Sequence, residues 1–175
     1  MNIPALVEAL PSPWLTPDTS VEVERVIARA RADLIAVVEI PLGSNRGLLI
    51  DQYNLRAHVP AGSYWCASAV GAWWEDAGLQ TPPGRASCDQ WMNWAKDTGR
   101  WSDKPTLGCA VLYGKPGDAN HIGLVVRTLP LVLSIEGNTT IESGFSRTGI
   151  AVAVKIVDTH TDPILGYCLP FPKGA

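Results

Sequence analysis

Four residues in this chain carry groups suited to acyl-transfer chemistry: Cys66, His121, Glu136 and Asn138. Cys66 follows the turn Gly62-Ser63 and opens a dense apolar run, Ala67 to Trp74. That places its thiol in the first turn of a predicted buried helix. There, unpaired backbone N–H groups and the positive end of the helix dipole favour a thiolate. The plainer reading is a small core residue, the usual fate of a free cysteine. His121 opens a predicted apolar strand just after the polar turn Lys115 to Asn120, a position that faces a cleft or, more plainly, solvent. Glu136 and Asn138 follow the run Leu131 to Ile135, broken only by Ser134. Two residues apart on an extended backbone, they point to one face and are placed to orient an imidazole through its second nitrogen. Taken singly, each reads equally well as a turn residue. Taken together, a thiol at a helix start, a histidine on a following strand and a carboxylate or amide on the next have the logic of a thiol hydrolase.

Other polar and aromatic groups compete less well. His58 lies close to Cys66 in sequence but has no polar partner nearby. Asp158-Thr159-His160-Thr161-Asp162 alternates possible metal ligands, yet reads first as a polar connection between strands. Cys66, Cys88, Cys109 and Cys168 show no CxxC pairing, so they offer no zinc site of their own. Among seven tryptophans, Trp73 and Trp74 read as core, whereas Trp65, Trp94 and Trp101 are candidates to line a groove for sugar rings or a peptide.

The elements that must position these groups are legible along the chain. Four prolines mark residues 1–17 as an irregular leader. Thr19-Ser20-Val21-Glu22 is a capping-box pattern with Thr19 as predicted N-cap, followed by Val23, Val26, Ile27, Ala30 and Leu34 at helical spacing. A short helix is predicted over Leu48 to His58, the buried helix of Cys66 ends at Gly78, and a second capping box at Ser87 to Gln90 opens a helix that stops at Gly99. Beyond Pro105 the pattern changes to strands: Cys109 to Tyr113, His121 to Thr128, Leu131 to Glu136, Ile150 to Val157 and Ile164 to Leu169. Helices first and strands afterwards imply an α+β fold with an antiparallel sheet.

Composition sets the outer bounds. The 175 residues suit one domain, and 46% apolar with 18% charged residues is a globular balance. No apolar run approaches the roughly 18 residues of a membrane span. With a net charge of −3, an extended basic footprint for nucleic acid or anionic membrane is not expected. Met1 to Ala5 has neither a basic nor a continuous apolar region, so no secretory signal is expected and the site of synthesis is the cytoplasm.

Three segments, Gly62-Ser63-Tyr64-Trp65-Cys66-Ala67-Ser68-Ala69-Val70, Asn120-His121-Ile122-Gly123-Leu124-Val125-Val126 and Ile135-Glu136-Gly137-Asn138-Thr139, closely resemble the motifs of CHAP domains. These are cysteine, histidine-dependent amidohydrolases/peptidases of bacteriophage endolysins and bacterial wall hydrolases. Glu39 to Gly47 resembles the lead-in of phage-type members, and the likeness runs from about residue 20 to 170. It implies a papain-like fold, with helices over 20–104 packed on an antiparallel sheet of five or six strands over 105–175, after a leader over 1–19. It also implies Cys66 as nucleophile, His121 as base, and Glu136 with Asn138 as orienting groups. No glutamine stands a few residues before Cys66 as in papain-type enzymes, so the Cys66 N–H is the expected oxyanion donor, with Tyr53 second. Only Asp51 lies where some phage members hold calcium, so neither metal nor other cofactor is expected.

The function implied is amide cleavage in bacterial peptidoglycan by a monomeric endolysin-type enzyme. Such an enzyme is held in the host cytoplasm until a holin-like partner releases it to the wall, and it binds neither nucleic acid nor membrane stably. An antibacterial amidase toxin and a non-enzymatic wall-binding or virion structural protein on the same scaffold are the rival readings.

Overall fold

The computed structural model describes residues 19–34, 36–140 and 149–174; all but the last residue of the predicted leader lies outside them. Helix α1, Val21–Ala32, begins one residue later than the capping pattern predicts. Ser20, not Thr19, is the N-cap, its hydroxyl accepting the Val23 N–H at 3.3 Å. The predicted stripe is realised, with Val23, Val26, Ile27 and Ala30 buried. Glu22 and Glu24 in the first turn and Arg29 and Arg31 in the last complement the helix dipole. Three further helices follow among the described residues: α2 Leu48–Arg56, α3 Cys66–Asp76 and α4 Cys88–Asp97. Ser87 caps α4, accepting the Gln90 N–H at 3.4 Å. Gly78 and Gly99 follow the C-caps of α3 and α4 with φ of +86° and +70°, the left-handed turn that ends a helix cheaply only at glycine.

The second half is one antiparallel sheet: β1 Trp101–Ser102, β2 Ala110–Lys115, β3 Asp118–Arg127, β4 Leu133–Thr139, β5 Ala151–Ile156 and β6 Ile164–Cys168. Its strand order is β1-β6-β2-β3-β4-β5. The edge strand β1 was not foreseen, because two residues carry no alternation to read. The loop predicted over Lys115 to Asn120 shrinks to a tight Pro116-Gly117 turn, since Lys115 pairs directly with Asp118. His121 therefore stands inside β3 rather than at its mouth.

Alternation in β2 divides the sheet's two faces. Ala110 and Leu112 join the helix-side core, while Val111 and Tyr113 belong to a second cluster with Val125 and Tyr167. Helix α3 is buried at every residue from Cys66 to Trp74, as the apolar density of its sequence requires. Its packing is locked by polar anchors. The buried Asp33 carboxylate accepts the Tyr53 hydroxyl and, at 2.7 Å, the Trp73 indole N–H, and it pairs with Arg29. That knot joins α1, α2 and α3. Among the described residues, no helix is long and apolar enough to cross a membrane.

Candidate active site

Cys66 is the first residue of α3, preceded by Trp65 at the N-cap. Trp65 is fully buried, its indole N–H donating to Glu39 Oε1 at 3.0 Å, so the chain enters the helix on a fixed course. The Cys66 thiol lies within electrostatic reach of the Cys88 thiol, the His121 ring and the Ala67 backbone N–H. The early N–H groups of α3 precede its first intrahelical bond and lie beside that sulfur.

His121 and Glu136 are brought together by strand pairing. His121 on β3 lies opposite Tyr113 on β2, and their rings stand 5.8 Å apart. From β4, Glu136 Oε2 meets His121 Nε2 at 2.9 Å. Its other oxygen, Oε1, accepts the Tyr113 hydroxyl at 2.8 Å and the Ser134 hydroxyl at 2.6 Å. With Nε2 committed to Glu136, Nδ1 is the ring nitrogen that remains to serve the Cys66 sulfur. Imidazole and carboxylate are directly hydrogen-bonded, and the Cys66 thiol lies within electrostatic reach of that pair.

Two motif glycines are explained by space. A Cβ at Gly123 would stand 2.5 Å from Glu136 Cγ, so only glycine admits the carboxylate here. A Cβ at Gly137 would stand 2.7 Å from the Trp65 ring and 3.1 Å from Ala69, so only glycine lets β4 close on the start of α3. In each case the backbone makes way for a site residue or for its support.

The electrostatics follow from that packing. The Cys88 thiol nearby, opposed by burial and reinforced by the His121 ring and its charge, holds the Cys66 thiol well below its ordinary range. Burial would lower the His121 imidazole, but the Cys66 and Glu136 partners prevail and raise it to about 10. Burial also works against the Glu136 anion; His121, Ser134 and Tyr113 overcome it and keep the carboxyl below its usual value. Burial and the Glu136 charge push Tyr113 far up, so its phenol remains a donor. These shifts favour a thiolate–imidazolium pair backed by a carboxylate.

Several predicted placements need correction. Asn138 does not share the imidazole with Glu136. The pairing register slips between Glu136 and Thr139, and Asn138 has φ +53°, so strand alternation fails at this residue. Its Oδ1 accepts the Gly149 N–H at 3.4 Å, its Nδ2 has no hydrogen-bond partner among the described residues, and it lines an open cleft with Glu39, Asn45 and Tyr64. Tyr53 is no oxyanion donor through its side chain, because its buried hydroxyl is spent on Asp33. Trp65 lines no groove, being wholly in the core. Trp94 packs edge-on against Trp91 beneath Arg100, and Trp101 lies on edge strand β1 beneath Lys96, which gives both a packing role. Tyr64, 65% exposed and two residues before Cys66, is an aromatic side chain on the cleft.

His58 is exposed just beyond α2. Asp158 and Asp162 accept backbone N–H groups of their own turn at 2.9 and 2.8 Å. Tyr113, Ser134 and Cys88 went unrecognised in the sequence. Ser134 left a signal, as the one polar residue in the apolar run before Glu136. Tyr113 and Cys88 left none, because only the register and the helix packing bring them in.

Comparison with protein-family models, with curated proteins and with solved structures finds no match to this chain.

Proposed function

We propose that the protein is a cysteine amidase or endopeptidase acting on bacterial peptidoglycan, of the endolysin type and on a papain-like CHAP scaffold. The observation that carries the reading is the buried His121–Glu136 pair, joined at 2.9 Å through Nε2, with the Cys66 thiol at the start of α3 within its electrostatic reach. The wall as substrate comes from the resemblance of the three motifs. In the reaction, the Cys66 thiolate attacks the amide carbonyl, and N–H groups at the start of α3 receive the oxyanion. The His121 imidazolium gives its proton to the departing amine. Water, activated by the neutral imidazole, then hydrolyses the thioester. Glu136 stabilises the cation throughout without taking its proton.

The intact set of groups favours an enzyme over a non-catalytic wall-binding protein. In the cell, the enzyme would await release from the host cytoplasm by a holin-like partner. The test is the initial lysis rate of purified walls. Cys66→Ser should remove lysis while circular dichroism stays unchanged; substantial lysis by the serine variant would overturn the assignment of the nucleophile.

A further inference from the structure

Glu39 is a buried carboxylate with no counter-charge beside it. It is 1% exposed, and its backbone N–H donates to the Ile150 carbonyl at 2.7 Å, which fixes its segment next to β5. Oε1 accepts the Trp65 indole N–H and Oε2 accepts the Asn45 backbone N–H, each at 3.0 Å. Two oxygens that both accept suit the ionised form. Both donors are neutral, and no lysine, arginine or histidine among the described residues pairs with Glu39. A buried charge is ordinarily matched by an opposite one. Glu39 lines the open cleft beside Tyr64, and Asn138 lines it as well. Asn138 is also 1% exposed, its Oδ1 is spent on Gly149, and its Nδ2 has no partner among the described residues. One cleft thus carries an unmatched negative charge and an unspent donor, with an exposed aromatic ring two residues before Cys66.

We propose that this cleft is a subsite for a protonated primary amine of the substrate: Glu39 receives the ammonium, and Asn138 Nδ2 donates to a carbonyl oxygen close to it. A peptide residue with a free amino group carries that pair of groups, and Tyr64 offers its carbon chain a surface to pack on. A divalent cation fits less well, because it seeks several oxygen ligands and an N–H donor offers it none. At about 260 Å³ the cleft falls below the range of pockets that enclose a whole ligand, so it holds one part of a longer substrate. Trp65 joins the subsite to the reaction centre, since it donates to Glu39 and is the N-cap of the helix that begins at Cys66.

The inference rests on the reading that Cys66 cleaves a peptide amide, but its test is binding. The full-length, isotope-labelled Cys66→Ser protein is titrated with alanyl-alaninamide and with the N-acetyl derivative of that dipeptide. NMR follows the Trp65 indole N–H and the Asn138 side-chain amide. The free amine should shift both resonances to saturation. The acetylated probe should bind about tenfold more weakly, the worth of one charge-assisted hydrogen bond. Glu39→Gln keeps the shape and removes the charge, so with its circular dichroism unchanged the two probes should bind it equally. Asn138→Gly suits the positive φ and should weaken both probes while keeping their ratio. Equal affinity of the two probes for the Glu39 protein would overturn the proposal, as would resonances that move with neither. Shifts produced by calcium chloride and not by the amine would overturn it in favour of a metal. If the free amine binds as stated while the wild type leaves walls intact, the peptidoglycan reading fails and the subsite stands.

Discussion

Glu136 uses its two oxygens for different tasks. Oε2 holds the imidazole, and Oε1 is held by Tyr113 and Ser134, so the carboxylate cannot rotate away from the ring. Glu136→Gln keeps the shape and removes the charge. It should lower the lysis rate by roughly 10- to 1000-fold, the range over which positioned acid–base groups act. The pH profile should change as well. The Cys66 and Glu136 partners raise the imidazole to about 10, so the alkaline limb of the proposed activity should lie near there. Without the carboxylate the cation is less stable, so that limb should move to lower pH. Initial lysis rates from acid to strongly alkaline pH check this, and an unmoved alkaline limb would contradict it. Asn138→Ala should cost less, because its amide holds the Gly149 backbone rather than the ring.

At the scale of elements, the site is an agreement between the start of α3 and the pairing of β2, β3 and β4. Gly123 is where that agreement is tightest. A methyl group there meets Glu136 Cγ at 2.5 Å, too close for adjustment without displacing the carboxylate. Gly123→Ala should therefore reduce activity at least as far as Glu136→Gln while the protein remains folded. Lysis rates beside circular dichroism test this, and near wild-type activity would contradict it.

The sequence made the elements themselves legible because their signals are local: a capping pattern that places the first cap one residue from Ser20, a cap at Ser87, glycine stops at Gly78 and Gly99, and a change of hydrophobic period after Pro105. The helix start of Cys66 and the strands of His121 and Glu136 could be read, although His121 stands inside β3 rather than at its mouth. What stayed hidden depends on pairing. The slip between Glu136 and Thr139 turns Asn138 out of register, and β6 inserts between β1 and β2 from the far end of the chain. Tyr113 reaches the carboxylate only because it lies opposite His121. No local pattern encodes such partners.

For the whole molecule, the buried carboxylate of Asp33 is the joint on which the helical half turns. It collects Arg29, Tyr53 and Trp73 from three helices, including the one that begins at Cys66. Asp33→Ala would leave the Tyr53 hydroxyl and the Trp73 N–H buried without an acceptor. The expected loss of stability is about 3 kcal/mol, by the usual cost of orphaned buried donors and a broken partly buried ion pair. Urea unfolding followed by tryptophan fluorescence measures it, and a change under about 0.5 kcal/mol, as at an ordinary surface site, would deny the knot its role.

The account as a whole rests on a cysteine-dependent cut in an amide of the cell wall. Mass spectrometry of muropeptides from purified peptidoglycan, digested by the wild type and by Cys66→Ser, tests that most directly. The expected result is fragments bearing one new amino terminus in the wild-type digest, which names the bond, and none in the variant digest. Peptidoglycan left intact by the wild type, or the same fragments from both proteins, would contradict it.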